Sequence, residues 1–125
     1  MKKLKTPITV SGVVIHGQRA GRKINFPTAN LDIDLNLKTK QGVYFARCQL
    51  NHKSLLGLAY FGPRYLVNQT SNSFEVYLIG FNQNIYGQTL EVTLTHFLRP
   101  PMKFTSLEET RKQILKDLQV ASSLF

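Results

Sequence analysis

A glycine-rich, basic segment at residues 12–31 has the composition best suited to chemistry. Glycine permits backbone conformations in which successive N–H groups converge on an anion, and a neighbouring Arg-Lys pair adds positive charge. The segment contains neither a P-loop nor a Gly-x-Gly-x-x-Gly fingerprint. It predicts a phosphate cradle, although a flexible glycine turn with exposed charges explains it equally well. The residues concerned are Gly17, Gly21, Arg22 and Lys23.

Glu75 is the second residue with an unusual setting, because it is the one carboxylate between residues 73 and 81. Its neighbours Phe74 and Val76 are apolar, which places the carboxylate on a predicted strand. A functional carboxylate and a surface carboxylate on the outer side of a strand are both compatible with this pattern.

Cysteine and histidine usage indicates neither a disulfide nor a zinc site. Cys48 is the single cysteine, and its alternating apolar neighbours indicate a packed thiol on a half-buried strand. The histidines His16, His52 and His96 are scattered, without the spacings that zinc ligands show.

The elements that must position these residues are mostly strands. Short runs rich in β-branched and aromatic residues, separated by turn residues, predict strands at residues 8–15, 43–50, 54–61, 74–81 and 89–98, with a sixth short strand near 31–35. Such spacing favours an antiparallel barrel or sandwich. After two prolines, Ser106 and Glu109 form a capping box that predicts one amphipathic helix of about four turns, packed on the barrel.

Length and composition limit the classes of protein that remain. The 125 residues, 42% hydrophobic, predict a single domain spanning 1–125, and no run of about eighteen apolar residues is present. The basic start lacks the apolar stretch of a signal peptide, which predicts a cytoplasmic protein. A net charge of +9 favours an anionic partner. Phosphorylated small molecules, RNA and acidic membranes all satisfy it, but no basic amphipathic helix supports the membrane.

A series of short motifs then follows in a fixed order over about residues 8 to 121. These are Gly21-Arg22, Phe26-Pro27-Thr28-Ala29-Asn30-Leu31, Gly42-Val43-Tyr44, Phe61-Gly62, Arg64, Phe74-Glu75-Val76-Tyr77-Leu78, Tyr86-Gly87, Phe97-Leu98-Arg99-Pro100 and Lys103-Phe104. In this order they resemble the riboflavin kinase family, including the kinase module of bifunctional bacterial FAD synthetases. The Pro-Thr-Ala-Asn run, combined with the distant Glu and Leu-Arg elements, is the most specific part.

The resemblance implies a mainly β fold, a six-stranded antiparallel Greek-key β-barrel with a C-terminal α-helix packed outside. It implies transfer of the ATP γ-phosphate to riboflavin, giving FMN. Glu75 would be the catalytic base. Thr28 and Asn30 would hold Mg²⁺, or Zn²⁺ or Mn²⁺ in its place, through neutral oxygens, while the ATP phosphates supply negative charge. Both are expected to be exposed turn residues, and an Asx or Thr turn after proline is the structural alternative.

The resemblance also assigns two substrate sides. Gly17, Gly21, Arg22, Lys23, Leu78, Gly80 and Tyr86 fall on the nucleotide side, whereas Arg99, Met102 and Phe104 fall on the flavin side. Packing alone would also explain Leu78, Gly80 and Tyr86, and Arg99 could cap the barrel instead. The implied partners are small molecules, with no nucleic acid and no membrane, and the implied state is a monomer.

The chain departs from the family pattern at three places. Asn25 stands at a usual glycine, Tyr65-Leu66 at a usual Pro-Thr, and residues 80–85 lack the usual acidic residue. The nucleotidyltransferase module of the bifunctional enzymes is absent from these 125 residues, so we expect a standalone kinase or an excised domain. The alternatives are a noncatalytic flavin-binding sensor and a small basic RNA-binding barrel. Intact Thr28, Asn30 and Glu75 argue against the sensor.

Overall fold

The computed structural model describes residues 1–16, 26–63 and 71–125 of the chain. Within these ranges the strands are β1 (Lys2–Ile15), β2 (Ala29–Asp32), β3 (Gly42–Leu50), β4 (Lys53–Pro63), β5 (Asn72–Leu78) and β6 (Thr89–Arg99). A helix α1 (Leu107–Ala121) follows and ends in a short 3₁₀ turn (Ser122–Leu124). No helix in the described ranges has the length and apolar character needed to cross a membrane.

The strands close into a barrel in the order β1-β2-β5-β4-β3-β6, with every neighbouring pair antiparallel. Strands β3, β4 and β5 are consecutive neighbours, and β6 returns to lie beside β3. This order is that of a Greek key. The predicted mainly β, six-stranded Greek-key barrel with a C-terminal helix is therefore confirmed.

Alternation along each strand divides the barrel into two faces. The inward residues form one core, which includes Val14, Phe74, Val76 and Leu90. Cys48 lies in this core as a free thiol, as predicted, and burial raises its pKa to about 12. Outward apolar residues on β3 and β4 form a second core, in which Val43, Phe45 and Leu58 pack against Ala121 and the end of α1. The helix thus covers one outer side of the barrel.

Strand limits differ from the prediction where pairing or a turn overrides the local pattern. Strand β1 begins at Lys2 because its basic start pairs with Phe97 and His96 of β6, and Pro7 lies in the register shift that follows. Strand β5 ends at Leu78, where the amide of Phe81 donates to the Leu78 carbonyl across a turn. Gly80 supplies the positive φ of 70° that this turn requires.

Candidate active site

Glu75 lies on the outer side of β5, because Phe74 and Val76 on either side of it point into the barrel core. The side chain is half-buried. The Thr28 hydroxyl donates to one carboxylate oxygen at 3.0 Å, and the Ser73 hydroxyl donates to the other at 3.3 Å. The carboxylate is thus oriented by hydroxyl groups from two segments of the chain.

Asn30 stands directly across from Glu75 in the β2–β5 pairing. Facing residues on antiparallel strands have their Cβ atoms about 4.5–5.5 Å apart, so the amide and the carboxylate are immediate neighbours. The expectation that Asn30 is an exposed turn residue is wrong, because Asn30 belongs to β2 and is only 6% exposed. Thr28 precedes the strand and is half-buried. Sheet pairing brings the two predicted metal ligands beside the predicted base.

The donor atoms gathered here suit a hard divalent cation. A hydroxyl, an amide and a carboxylate are oxygen ligands of the kind that Mg²⁺ prefers, and Mg²⁺ takes few ligands from a protein when it arrives with phosphates. Among residues 1–16, 26–63 and 71–125, no group of three or more His, Cys, Asp or Glu side chains is placed to hold a metal. The oxygen atoms of Thr28 and Asn30, the two predicted ligands, are of the type that such an ion takes.

A cleft of about 610 Å³ opens beside this oxygen cluster. It lies at the barrel end where β1 and β5 finish and β2 begins. Its base is apolar, and amide side chains from the β5–β6 connection line the opposite side. Thr28 belongs both to the cleft wall and to the hydrogen bonds of Glu75. The lining residues are Val14, Pro27, Thr28, Ala29, Val76, Leu78, Phe81, Asn82, Gln83, Asn84, Ile85 and Tyr86.

The residues expected on the nucleotide side are placed unequally. Leu78 and Tyr86 line the cleft. Gly80 lies in the turn after β5, with open space around its α-carbon, and is not part of the lining. The other four expected nucleotide contacts lie outside the described residues, namely Gly17, Gly21, Arg22 and Lys23.

Tyr86 is held at the rim of the cleft by two local features. Its ring contacts the His16 ring just after β1, with the ring centroids 3.8 Å apart and the planes tilted by 31°. Its amide donates to the Asn84 side chain at 3.0 Å, and the following turn is closed by a bond from the Gln88 amide to the Ile85 carbonyl. The connection from β5 to β6 is thereby fixed over the barrel end.

The residues expected on the flavin side lie at the junction of β6 and α1. Met102 is 42% exposed and Phe104 is half-buried. Arg99 ends β6 and directs its guanidinium to Asp117 of α1. A Cβ built on Gly62 would lie 3.4 Å from Pro101 Cγ, so the segment after β6 lies close to the end of β4.

The sequence prediction missed several residues of this region. Ser73 carried no signal, because a serine two residues from a carboxylate is common on strands. Asp117 had a signal, since it lies three residues after Ile114 and therefore on the apolar stripe of the helix. The Asn82-Gln83-Asn84 run has the composition of a turn, which gives no sign that its side chains line the cleft.

A closed Greek-key barrel has a cleft at one end, and Thr28 connects the wall of that cleft to the carboxylate of Glu75. These features define the class of small Greek-key β-barrel proteins with a cleft at the barrel end. The family model for riboflavin kinase (Flavokinase) matches residues 4–125. The chain therefore belongs to the riboflavin kinase family.

The relatives agree with this assignment. The bifunctional riboflavin kinase/FMN adenylyltransferase of Haemophilus influenzae is 38% identical over 98% of this chain, and that of Listeria monocytogenes is 37% identical over 95%. This chain spans 40% and 38% of their respective lengths. An RNA-binding riboflavin kinase of Bacillus subtilis is 33% identical over 93% of the chain and half of its own length.

Two structures share the barrel. A Streptococcus pneumoniae structure described as a macrolide-efflux protein matches with a TM-score of 0.80 and 32% identity, covering 92% of this chain and 38% of the other. Riboflavin kinase from Trypanosoma brucei matches with a TM-score of 0.69 over 99% of this chain and 81% of the other. At 22% identity, the second likeness shows the fold alone.

Proposed function

We propose that this chain is a riboflavin kinase that transfers the γ-phosphate of ATP to the 5′-hydroxyl of riboflavin, giving FMN and ADP. The observation that carries the proposal is the position of Thr28, which lines the cleft and also donates to Glu75 at 3.0 Å. A phosphate donor in the cleft and a hydroxyl acceptor beside Glu75 would then meet at one point.

Glu75 supplies the proton acceptor. As the 5′-oxygen of riboflavin forms its bond to the γ-phosphorus, the hydroxyl proton passes to the carboxylate, and the bond from the γ-phosphorus to the β–γ bridging oxygen breaks. ADP leaves with the electron pair of that bond. The hydrogen bonds from Thr28 and Ser73 hold the carboxylate in one orientation, so that it need not be ordered during the reaction.

Thr28 and Asn30 are the proposed protein ligands of the divalent ion that accompanies ATP. When bound, Mg²⁺ would neutralise charge on the phosphates. The hydroxyl of Thr28 can offer a lone pair to the ion while its O–H group still donates to the Glu75 carboxylate. Mn²⁺ and Zn²⁺ are tested alongside Mg²⁺ because the same oxygens accept them.

The two substrates are assigned to different sides of Glu75. The cleft, with its apolar base and the ring of Tyr86, takes the nucleotide. The junction after β6, where Met102 and Phe104 lie, takes the isoalloxazine ring, for which a thioether and an aromatic ring are suitable neighbours. Glu75 lies on β5, the strand that also carries Leu78 to the cleft.

The direct test is incubation of the purified chain with riboflavin, ATP and Mg²⁺, Mn²⁺ or Zn²⁺. The expected result is FMN and ADP in equal amounts, separated by chromatography, with no product when ATP or the metal is omitted. Bound riboflavin without FMN under every metal would contradict the proposal and favour the sensor.

The proposed partners are small molecules rather than RNA, although the Bacillus subtilis relative is an RNA-binding riboflavin kinase. Sequence-tolerant RNA binding uses exposed aromatic rings on adjacent strands. Phe61 lies inside the barrel, Phe45 lies under the helix, and Tyr77 packs edge-on against Phe26. Filter binding with single-stranded RNA at 150 mM salt should therefore show no saturable retention, unlike a positive control.

We also propose that the chain acts as a monomer in a reducing compartment such as the cytoplasm. The support for this compartment is Cys48, a buried thiol that is not in a disulfide. Sedimentation at the concentration of the kinase assay tests the oligomeric state.

A further inference from the structure

A buried ion pair joins the end of β6 to the middle of α1. Arg99 donates to Asp117 through Nε and Nη2, both at 2.9 Å, and the side chains are 16% and 5% exposed. Gln113, one turn earlier on the helix, donates to the same carboxylate at 3.0 Å. Such a two-point contact fixes direction as well as distance, because the guanidinium and the carboxylate must be coplanar.

The strand side of this pair cannot shift easily. Arg99 is paired with Val43 of β3, and the neighbouring Gly42 approaches it so closely that a Cβ there would lie 2.1 Å from the Arg99 carbonyl oxygen. The guanidinium also donates from Nη1 to the Pro100 carbonyl at 3.3 Å. The barrel wall therefore sets where Arg99 points, and Arg99 sets where Asp117 must lie.

The chain between the two partners is the segment proposed to meet the flavin. It leaves β6 at Pro100, passes Met102 and Phe104, and returns as α1. Pro101 lies close to Gly62, since a Cβ built there would be 3.4 Å from Pro101 Cγ. The Gly62 carbonyl accepts from the Ser73 hydroxyl, which also reaches Glu75 at 3.3 Å. A displacement of residues 100–104 would therefore change both the proposed flavin contacts and the position of Glu75.

We propose that Asp117 is a positioning residue for riboflavin. Resting on the riboflavin kinase activity proposed above, this inference assigns to the Arg99–Asp117 pair the task of holding residues 100–104 at a fixed distance from Glu75. Asp117 itself does not touch substrate. Its effect should spare the nucleotide cleft, because none of the residues lining that cleft belongs to β6 or α1.

A purely structural role makes a different prediction. Replacing a buried ion pair by apolar residues of similar size is often neutral or favourable for stability, so stability alone does not require the pair. Leu118 and Leu124 would still hold the helix to the barrel, because they pack against the second core. What apolar residues cannot reproduce is the two-point geometry that fixes the direction of the segment.

The test compares the parent, D117N and the double variant R99M/D117L. The matched control is E108Q, which removes the exposed Glu108–Arg111 pair on the same helix, separated by 3.6 Å. Melting temperature, KM for riboflavin and KM for MgATP are measured for each. D117N should lose stability and riboflavin affinity together, since it leaves a buried guanidinium unmatched.

The double variant is decisive because it should keep a melting temperature close to the parent. Its KM for riboflavin should rise about 10-fold or more, since small misplacements near reacting groups have effects of this size. Its KM for MgATP should stay within about twofold, and E108Q should match the parent in every measurement. R99K should also show a raised KM for riboflavin, because lysine lacks the planar guanidinium that makes the two-point contact.

Either of two kinetic results overturns the inference. A parental KM for riboflavin in the folded double variant would reduce the pair to a structural contact, and equal increases in both KM values would indicate general loosening of the barrel. If the parent makes no FMN, the proposed activity fails, and fluorescence titration with riboflavin still decides the positioning role. In that titration, equal dissociation constants for parent and double variant would overturn it.

Discussion

Glu75 and Asp117 are both acidic residues set among apolar neighbours, one on a strand and one on a helix. Asp117 is 4% exposed and receives a charged, two-point contact from Arg99. Glu75 is half-buried and receives single hydrogen bonds from the hydroxyls of Thr28 and Ser73. The Asp117 carboxylate, held by a guanidinium, serves as an anchor, whereas the proposed role of Glu75 requires its carboxylate to accept the hydroxyl of a substrate as well.

The contrast between Glu75 and Asp117 is tested most strongly by a substitution at Glu75. E75Q keeps the shape and removes the proton acceptor, so turnover should fall by about 10² to 10⁴ while riboflavin and nucleotide binding remain. The melting temperature should change little, since the amide can still accept from Thr28. Steady-state kinetics and fluorescence titration measure the two effects separately.

The matched control is E91Q, which changes an exposed carboxylate on the outer side of β6. It should leave turnover unchanged. Equal activity of E75Q and the parent would mean that Glu75 is a surface carboxylate and that the reaction uses another acceptor.

Asp117 should show the opposite pattern, a large effect on stability. Removing one partner of a buried pair leaves the other charge uncompensated, so D117N should lower the free energy of unfolding by about 3–5 kcal/mol. Urea denaturation of D117N, with E108Q as control, measures the loss. A loss no greater than that of E108Q would show that the Arg99 guanidinium finds other partners and that the contrast with Glu75 is false.

Thr28 and Asn30 separate the two roles within the site itself. Both variants, T28A and N30A, should raise the KM for MgATP. Asn30 is 6% exposed and lies within β2, so its loss should also cost about 1–3 kcal/mol of stability, while T28A should cost less. Thermal unfolding and nucleotide kinetics of both variants provide the measurements. Normal nucleotide kinetics in T28A and N30A would make both residues structural and remove the metal assignment.

These contrasts also show what the sequence could predict. Alternation of apolar and polar residues located the strands, because each strand has one face in a core. Glu75 was noticeable as the one carboxylate between residues 73 and 81. The resemblance connected Glu75 with Thr28 and Asn30, and sheet pairing shows that they are neighbours. Periodicity could not predict that pairing, since register depends on distant strands.

The features that the sequence did not predict depend on which distant parts of the chain pair with each other. An aspartate on a helix is usually exposed, whereas Asp117 is buried and pairs with Arg99 at the end of β6. Asn30 reads locally as a turn residue after a proline, yet pairing with β5 draws it into a strand. Strand β1 likewise extends to Lys2 because β6 is long enough to pair with it.

Glu109 gives the smallest effect and completes the comparison, as an acidic residue bound to backbone at a helix start. Its carboxylate accepts from the amide and the hydroxyl of Thr105, both at 2.9 Å, while Ser106 caps the Glu109 amide. These hydrogen bonds lower the pKa of Glu109 from its usual 4.5. Because the folded pKa lies below the unfolded one, the stabilisation is present above pH 4.5 and is lost as the pH falls through the folded value.

NMR titration should place the Glu109 pKa below 4.5, and E109Q should show a shallower loss of stability on acidification than the parent, with E108Q resembling the parent. Parallel acid unfolding curves for E109Q and the parent would mean that the cap does not contribute in solution.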